Sequence, residues 1–369
     1  MTRYASSLSS VMCGAALSLA ALGCSSNPEP IVDCRDERGI HPICGFQNPE
    51  DISVLADNRR LIVSQYGDMT KPEDRGSLAL LDLGSDSMRI VYPLAANGAG
   101  ASTKAPGWGD ADCEQPADNR FNPHGIDLAA RPDGRLQLLV VNHGDAERIE
   151  FFEVLPEPNN VHVVWRGCAV PSEGAWLNDV VNLPDGGLLA SHMMEYGGII
   201  WNMLKATLGA KTGFVYEWHA ASGFTRVSGT DRAFPNGIEI SDDGREIYLN
   251  VYMGDVVERI DRSNGKVLAS AKVAAPDNSA WAKDGRLLVA SHLGGFREQR
   301  PCMSLEDGQP CPMSFEIRAL DPKTLEGEAI FANRGAPMGG GTVAVDVGGK
   351  LVIGSFAGDR VIVAPINEK

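Results

Sequence analysis

The chain has 369 residues and a formal net charge of −15 at pH 7. An acidic protein repels the phosphate backbone of nucleic acids, so we exclude DNA and RNA as partners. After the N-terminal leader, the sequence contains no segment that is long and apolar enough to cross a bilayer. A chain of this length usually forms two domains, although the internal repeats described below favour one.

The N-terminus has the features of an export signal. Residues 1–23 contain one basic residue, Arg3, and no acidic residue, and Val11–Ala20 is small, apolar and too short to span a bilayer. Ala21-Leu22-Gly23-Cys24 then resembles a bacterial lipobox. This resemblance implies that residues 1–23 are a lipoprotein signal peptide and that Cys24 is acylated. The alternative is an ordinary signal peptide in which Cys24 is incidental.

Lipidation at Cys24 predicts a protein anchored in the bacterial cell envelope, at the outer membrane or its periplasmic face. Without lipidation we expect an extracellular protein. Residues 24–43 are interpreted as a tether and N-terminal segment, because Ser25–Pro30 has the composition of a flexible linker. Residues 44–369 are interpreted as the folded domain.

Six cysteines follow Cys24, and an even number in an exported chain indicates disulfides. The spacing favours two short loops, Cys34–Cys44 and Cys302–Cys311, which leaves Cys113 with Cys168. None of these cysteines forms a CxxC metal motif.

A turn followed by an apolar strand recurs six times along the chain. An Asp-Gly pair between apolar runs predicts a β-hairpin, and we expect a type I′ turn, in which φ is positive at both central residues. Repeats about 40 to 75 residues apart leave room for a four-stranded sheet each, which is typical of propeller blades. We therefore predict an all-β fold, a six-bladed β-propeller. The six units are 57–63, 132–136, 184–189, 242–248, 283–289 and 348–353.

Polar residues interrupt the apolar strand that precedes each turn, in five of the six units. A single such residue is more often a satisfied core group, but equivalent positions in a propeller converge on the central channel. A ring of carboxylate and amide oxygens suits Ca²⁺, whereas Zn²⁺ prefers His and Cys. We therefore predict a central calcium-binding channel. The polar positions are Glu50-Asp51, His124, Asn178-Asp179, Asn236 and Asp277-Asn278.

Two pairs of adjacent polar residues, Glu50-Asp51 and Asn178-Asp179, predict two ions. Adjacent side chains on a strand point to opposite faces, so Glu50 and Asp51 cannot easily bind one ion, and neither can Asn178 and Asp179. One ion would be bound by Glu50, Asn178, Asn236 and one or both of Asp277 and Asn278. The other would be bound by Asp51 and Asp179.

These segments resemble the paraoxonase (arylesterase) family, and more distantly the gluconolactonase-like and strictosidine-synthase-like propellers. The resemblance runs in order from about Cys44 to Val363. It rests on Phe121–Ile126 (FNPHGI), Leu139–His143 (LVVNH), Leu177–Val181 (LNDVV), Phe234–Ile238 (FPNGI), Asp277–Ser279 (DNS) and Gly341–Gly354.

The resemblance implies a catalytic calcium at the base of an active-site funnel and a structural calcium deeper in the channel. The family's histidine dyad falls on His124 and His143, and His292 corresponds to a histidine that lines the substrate funnel. The implied ligands of the catalytic ion are Glu50, Asn178, Asn236, Asp277 and Asn278, and those of the structural ion are Asp51, Asp179 and the backbone carbonyl of Ile126.

The resemblance also implies the reaction. We expect a calcium-dependent hydrolase of lactones or aryl esters, in which the ion polarises the carbonyl group and a histidine activates water. Residues 193–204 do not follow the sequence pattern of the predicted strands. We interpret them as a helical lid with Trp201 and Met203 against the substrate. The alternative is simple packing between blades. His143 has a similar alternative as a histidine that caps a strand end.

Two other functions stay open. One is a non-catalytic, calcium-stabilised lipoprotein scaffold in the cell envelope, and the other is a sugar-lactone hydrolase. The sequence also departs from the animal paraoxonases, which join their first and last strands by a disulfide, because it has no cysteine after Cys311. We therefore expect hydrogen bonds, or a different bridge near the N-terminus, to close the ring.

Overall fold

The computed structural model describes residues 31–67, 75–94, 103–117, 120–144, 146–158, 160–302 and 308–366. The predicted leader and Cys24 lie outside these ranges. Within them the chain forms six antiparallel sheets of four strands, which confirms the six-bladed propeller. No helix in the described ranges has the length and apolar character needed to cross a membrane.

The first four blades follow one another in chain order, and each runs from an inner to an outer strand. Blade 1 contains β2 (Pro49–Val54), β3 (Arg60–Gln65), β4 (Ser77–Asp82) and β5 (Ser87–Tyr92). Blade 2 contains β6 (Pro123–Ala130), β7 (Leu136–Asn142), β8 (Arg148–Glu157) and β9 (Asn160–Ala169). Blade 3 contains β10 (Ala175–Asn182), β11 (Leu188–Glu195), β12 (Phe214–His219) and β13 (Gly223–Arg226). Blade 4 contains β14 (Pro235–Ile240), β15 (Glu246–Val251), β16 (Val256–Asp261) and β17 (Val267–Lys272).

The last two blades complete the ring. Blade 5 contains β18 (Pro276–Trp281), β19 (Leu287–His292), β20 (Phe315–Leu320) and β21 (Gly327–Asn333). Blade 6 contains β22 (Gly341–Val347), β23 (Lys350–Ser355), β24 (Arg360–Pro365) and, as its outer strand, β1 (His41–Cys44) from the N-terminus. Two helices, α1 (Ile199–Thr207) and α2 (Gly295–Cys302), follow the second strands of blades 3 and 5.

Strand β1 closes the ring by pairing with β24, with Ile43 opposite Val361. The closure is therefore made by hydrogen bonds, as the lack of a late cysteine indicated. The disulfide Cys34–Cys44 spans the segment that leads into β1. Three residues that we had placed in the N-terminal segment, beginning with His41, thus belong to blade 6.

Apolar side chains fill the space between neighbouring blades. In β3, Ile62 packs against blade 2, whereas Leu61 and Val63 pack against blade 6. A strand that is buried on both faces needs apolar residues at consecutive positions, which explains the continuous apolar runs after each turn. Six buried clusters of this kind join the blades in a closed cycle.

The predicted turns lie between the first and second strands of every blade, but most are not type I′. At Asp133-Gly134 only the glycine has positive φ, of 82°, and its N–H donates to the carbonyl of Arg131. A three-residue loop of this kind combines a type I turn with one left-handed residue. Only the pair Gly348-Gly349, with φ of 63° and 79° between paired Val347 and Lys350, meets the type I′ condition.

The three predicted disulfides, Cys34–Cys44, Cys113–Cys168 and Cys302–Cys311, are all present. Disulfides form and persist in oxidising compartments, which fits a location in the cell envelope or outside the cell.

The closure strand generates a prediction about stability. Ile43 is 4% exposed and packs against both blade 6 and blade 1, so Ile43→Ala should lower the free energy of unfolding by about 2–5 kcal/mol. Val32→Ala is the control, because Val32 is 75% exposed and its truncation should cost less than about 0.5 kcal/mol. Denaturant unfolding measures both values. Equal effects of the two variants would show that β1 is not part of the cooperative fold.

Candidate active site

The innermost strands of all six blades share one irregularity close to their N-terminal ends. In β10, two residues, Asn178 and Asp179, stand opposite the single residue Ser191 of β11. Such a β-bulge bends the strand and redirects side chains. Five of the six bulges coincide with the predicted polar positions. The bulges fall between residues 49 and 51, 123 and 126, 177 and 180, 235 and 238, 276 and 279, and 341 and 344.

The first strands contact one another in a closed ring, which brings the bulges together around the channel. One group of side chains, here called the upper group, is buried around Glu50 and Asp277. Asn278 Nδ2 donates to Glu50 Oε1 at 2.8 Å, and His124 Nε2 lies 3.5 Å from the same oxygen. On the other side, His292 Nε2 lies 3.4 Å from Asp277 Oδ2, and Asn236 donates to the Asp277 carboxyl group.

Four oxygens of this group are buried and have no hydrogen-bond partner among the described residues. Buried polar atoms are nearly always paired, so such a cluster requires an explanation. Burial, followed by the charge of Glu50, also raises the pKa of Asp277 well above its usual value. Both features suit a site that binds a cation. The unpaired atoms are Glu50 Oε2, Asn178 Oδ1, Asn236 Oδ1 and Asn278 Oδ1.

A second group, here called the deeper group, lines a cavity of about 200 Å³ in the channel and includes Asp51 and Asp179. Asp51 accepts hydrogen bonds from the N–H groups of Ile52 and Ile126, at 2.8 and 2.7 Å. Asp179 accepts equivalent bonds from Val180 and Ile238, at 2.7 and 2.9 Å. Each carboxylate therefore ties its own blade to the next one.

The deeper carboxyl groups repel each other's negative charge. Burial, together with the charge of Glu50, raises the pKa of Asp51 to about 8. Burial and the charge of Asp51 raise the pKa of Asp179 well above its usual value. Gly125 leaves room for the Asp179 carboxylate, because a Cβ atom at position 125 would lie only 2.5 Å from Asp179 Oδ1.

The donor chemistry of the channel fits a hard cation. The upper group offers two carboxylates and three amides, and the deeper group offers two carboxylates beside the carbonyl of Ile126. Oxygen donors of this type are those that Ca²⁺ prefers. Among the described residues, no group of three or more His, Cys, Asp or Glu side chains is arranged to hold a metal ion by itself, so amide or carbonyl oxygens would have to complete the set of ligands.

The two predicted catalytic histidines are in direct contact. His124 Nδ1 lies 2.8 Å from His143 Nε2, and the ring of Tyr66 packs against both. The second nitrogen of His143, Nδ1, lies 2.8 Å from Glu147 Oε2. Burial lowers the pKa of His124, but the carboxylates of Glu50, Asp277 and Asp51 outweigh it and raise the pKa overall. His143 therefore does more than cap a strand, because it joins His124 to a carboxylate.

His292 lies at the same level as Asp277. Its Nε2 is 3.1 Å from the carbonyl of Gly341, and its Nδ1 is 3.0 Å from the Tyr252 hydroxyl. Burial lowers the pKa of His292 to about 4, so the ring is neutral at pH 7. Because both nitrogens are engaged, His292 can present a ring face and edge to a substrate but no free base.

The predicted lid is partly strand and partly helix. Met193 belongs to β11, and its sulfur lies 3.5 Å from Asn178 Nδ2. Trp201 and Met203 lie on α1, which contacts β11 and the turn at Tyr252–Gly254. Trp201 is 61% exposed, so its ring is largely free of the blades. The helix thus lies beside the end of the channel that holds His124 and Asp277.

Sequence reasoning missed several residues that build this site. Tyr66 and Tyr252 contact the histidines from neighbouring blades, and neither has a local motif. Glu147 lies four residues after His143, and that short separation is the signal that could have identified it.

Comparisons with known proteins identify the family of this chain. The family model described as Arylesterase matches residues 72–361. Human serum paraoxonase/arylesterase 1 is 24% identical over 342 residues, which cover 89% of this chain and 87% of that protein. Serum paraoxonase/arylesterase 2 of the dog, Canis lupus familiaris, is 22% identical and covers 77% and 75%.

Solved structures share the fold at lower sequence identity. A luciferin-regenerating enzyme has a TM-score of 0.52 at 14% identity, covering 88% of this chain and 94% of that one. A gluconolactonase from Xanthomonas campestris has a TM-score of 0.50 at 15% identity, covering 93% and 96%. The family match spans most of the chain and includes both histidines and most of the channel residues, so the chain belongs to the arylesterase family.

Proposed function

We propose that this protein is a calcium-dependent hydrolase of lactones and aryl esters. Membership of the arylesterase family supports a hydrolase of this general class. The observation that carries the finer proposal is the position of His124, whose Nε2 faces the same channel end as four unpaired buried oxygens. A base beside a cation site is what ester hydrolysis by water requires.

The upper group would hold one calcium ion through Glu50, Asn178, Asn236, Asp277 and Asn278, and the deeper group would hold a second through Asp51, Asp179 and the carbonyl of Ile126. The deeper carboxylates already bridge blades, so we assign them the structural ion. When bound, the upper ion supplies a positive charge that polarises the substrate carbonyl and stabilises the oxyanion.

The histidines of the chain perform the proton transfers. His124 accepts a proton at Nε2 from the water molecule whose oxygen attacks the carbonyl carbon. The C–O bond to the leaving alcohol then breaks, and His124 returns the proton to that oxygen. His143 holds the ring of His124 through its Nδ1 atom. His292 and α1, with Trp201 and Met203, form the substrate walls in this proposal.

Two alternatives predict different behaviour. A scaffold in the cell envelope would bind calcium and hydrolyse nothing, and it would have no use for a base that faces the cation site. A sugar-lactone hydrolase would prefer polar substrates, whereas the helix beside the site exposes Ile200, Trp201 and Leu204. The mainly apolar surface of α1 favours hydrophobic lactones and esters.

Removing calcium should destabilise the protein. A ligand at a hundred times its Kd contributes about 2.7 kcal/mol, so excess chelator should lower the Tm by several degrees. The chelated protein should also be less stable at pH 8.5 than at pH 6.5. Burial raises the pKa of Asp51 to about 8, so the folded state holds more protons than the unfolded state and loses stability as they dissociate.

Calorimetry at the two pH values, with calcium and with chelator, checks both statements. His192 and His292 oppose this trend slightly, because burial lowers their pKa values to about 4 in the folded state, whereas in the unfolded state they still bind protons at pH 6.5 and no longer do so at pH 8.5. Calcium should raise the Tm more at pH 8.5 than at pH 6.5. A Tm that is unaffected by chelator at both pH values would contradict the cation site.

Substituting His124 tests the base. His124→Gln keeps a polar side chain but removes the proton acceptor, so kcat for a hydrophobic δ-lactone should fall about 10²–10⁴-fold. Calcium affinity should change little, because we assign His124 no role as a ligand. His162→Gln is the matched control, since His162 lies on the outer strand of blade 2. An unchanged kcat in His124→Gln would remove the histidine from the mechanism.

Substituting Cys24 tests the anchor. If Cys24 is acylated, Cys24→Ala should move the protein from the membrane fraction to the soluble fraction of a bacterial expression host. The propeller should remain folded, because β1 begins at His41. Fractionation followed by immunoblotting measures the distribution. A variant that stays with the membranes after a high-salt wash would show that Cys24 is not the anchor.

A further inference from the structure

We infer that Glu147 is a positioning residue that fixes which nitrogen of His143, and through it which nitrogen of His124, carries the proton. This inference rests on the proposed function for its catalytic consequence, but the arrangement of protons is a property of the protein itself.

Both oxygens of Glu147 have partners. Oε1 accepts a hydrogen bond from the N–H of Leu177 at 2.5 Å, and Oε2 lies 2.8 Å from His143 Nδ1. The side chains of Glu147 and His143 are 14% and 4% exposed. Glu147 follows β7 in blade 2, whereas Leu177 belongs to β10 in blade 3 and precedes Asn178. The carboxylate is therefore held in place by a neighbouring blade.

A carboxylate only accepts hydrogen bonds, so the contact with Glu147 places a proton on His143 Nδ1. In the neutral ring, His143 Nε2 then has a lone pair. That lone pair accepts a hydrogen bond from the N–H of His124 Nδ1, 2.8 Å away. His124 in turn is left with its lone pair on Nε2, the nitrogen that lies 3.5 Å from Glu50 Oε1 in the channel. That oxygen already accepts a hydrogen bond from Asn278, and Glu50 faces the proposed calcium ion, so in the calcium-bound protein the direction of these hydrogen bonds follows from the charge of Glu147.

An amide at position 147 would reverse the direction in which the two histidines donate their hydrogen bonds. Gln has one acceptor oxygen and one NH₂ donor, and the N–H of Leu177 needs the oxygen. The NH₂ group would then face His143 Nδ1 and favour the tautomer with the proton on Nε2. His143 would donate to His124 Nδ1, and the proton of His124 would move to Nε2. The base that faces the channel would lose its lone pair although both histidines remain.

The first test needs no catalytic activity. In wild-type protein labelled with ¹⁵N-histidine, we expect His143 to show a protonated Nδ1 and an unprotonated Nε2, with the resonance assigned from His143→Gln. In Glu147→Gln we expect the reverse, with His143 protonated at Nε2 and unprotonated at Nδ1. A wild-type His143 whose Nε2 carries a proton would overturn the inference, whatever reaction the enzyme catalyses.

The second test is kinetic. Glu147→Gln should lower kcat for a hydrophobic δ-lactone by about 10²–10⁴-fold, the range of general-base catalysis, with KM nearly unchanged. In a serine-protease triad, replacing the carboxylate behind the catalytic histidine by an amide costs about 10⁴-fold for the same reason. Glu147→Asp keeps an acceptor-only group and should lose less activity than Glu147→Gln.

A double-mutant cycle separates positioning from a general structural effect. If Glu147 acts through His143, Glu147→Gln should cause no further loss of kcat in a His143→Gln background. Independent, multiplying losses would show instead that Glu147 supports the fold and does not act through His143. Asp36→Asn is the matched control, because Asp36 Oδ1 lies 2.6 Å from His41 Nδ1 on the surface, away from the channel. That variant should keep the wild-type kcat.

Discussion

Two buried carboxylates, Asp51 and Asp179, lie in the channel where each accepts a hydrogen bond from its own strand and one from the next blade. Their positions depend on the bulge in the innermost strand, which gives every blade one extra residue near the channel axis. Without that residue, the neighbours Glu50 and Asp51 would point to opposite faces of β2. With it, Glu50 joins the upper group around Asp277, and Asp51 lines the cavity of the deeper group.

In the proposed function, this arrangement joins stability and catalysis in one set of atoms. Burial and mutual repulsion raise the pKa values of Asp51, Asp179 and Asp277, so the ring is costly to ionise when no cation is bound. A protein built only for stability would replace such groups by apolar residues, because buried charges rarely repay their desolvation. Their presence, beside unpaired amide oxygens and a histidine pair, is the physical argument for a cation site that serves catalysis.

Much of the architecture could be predicted from sequence because its signals are local. The six recurring turns, four of them Asp-Gly, marked the six blades, and the apolar runs marked strands that are buried on both faces. The polar exceptions in those runs located the channel side chains. The bulges could not be predicted, since they depend on hydrogen-bond register between strands, and the strand alternation that we used to separate Glu50 from Asp51 is interrupted there. Likewise, Glu147 gains its role from Leu177 in another blade, which no short-range pattern reveals.

The most direct test of the central claim is hydrolysis by the wild-type protein of a panel of hydrophobic lactones and aryl esters. The assay compares protein in calcium, in excess chelator, and after calcium is restored. We predict hydrolysis in calcium, loss of turnover in chelator and recovery on restoration. A folded protein that binds calcium but hydrolyses no member of the panel would contradict the enzyme assignment and favour the envelope scaffold.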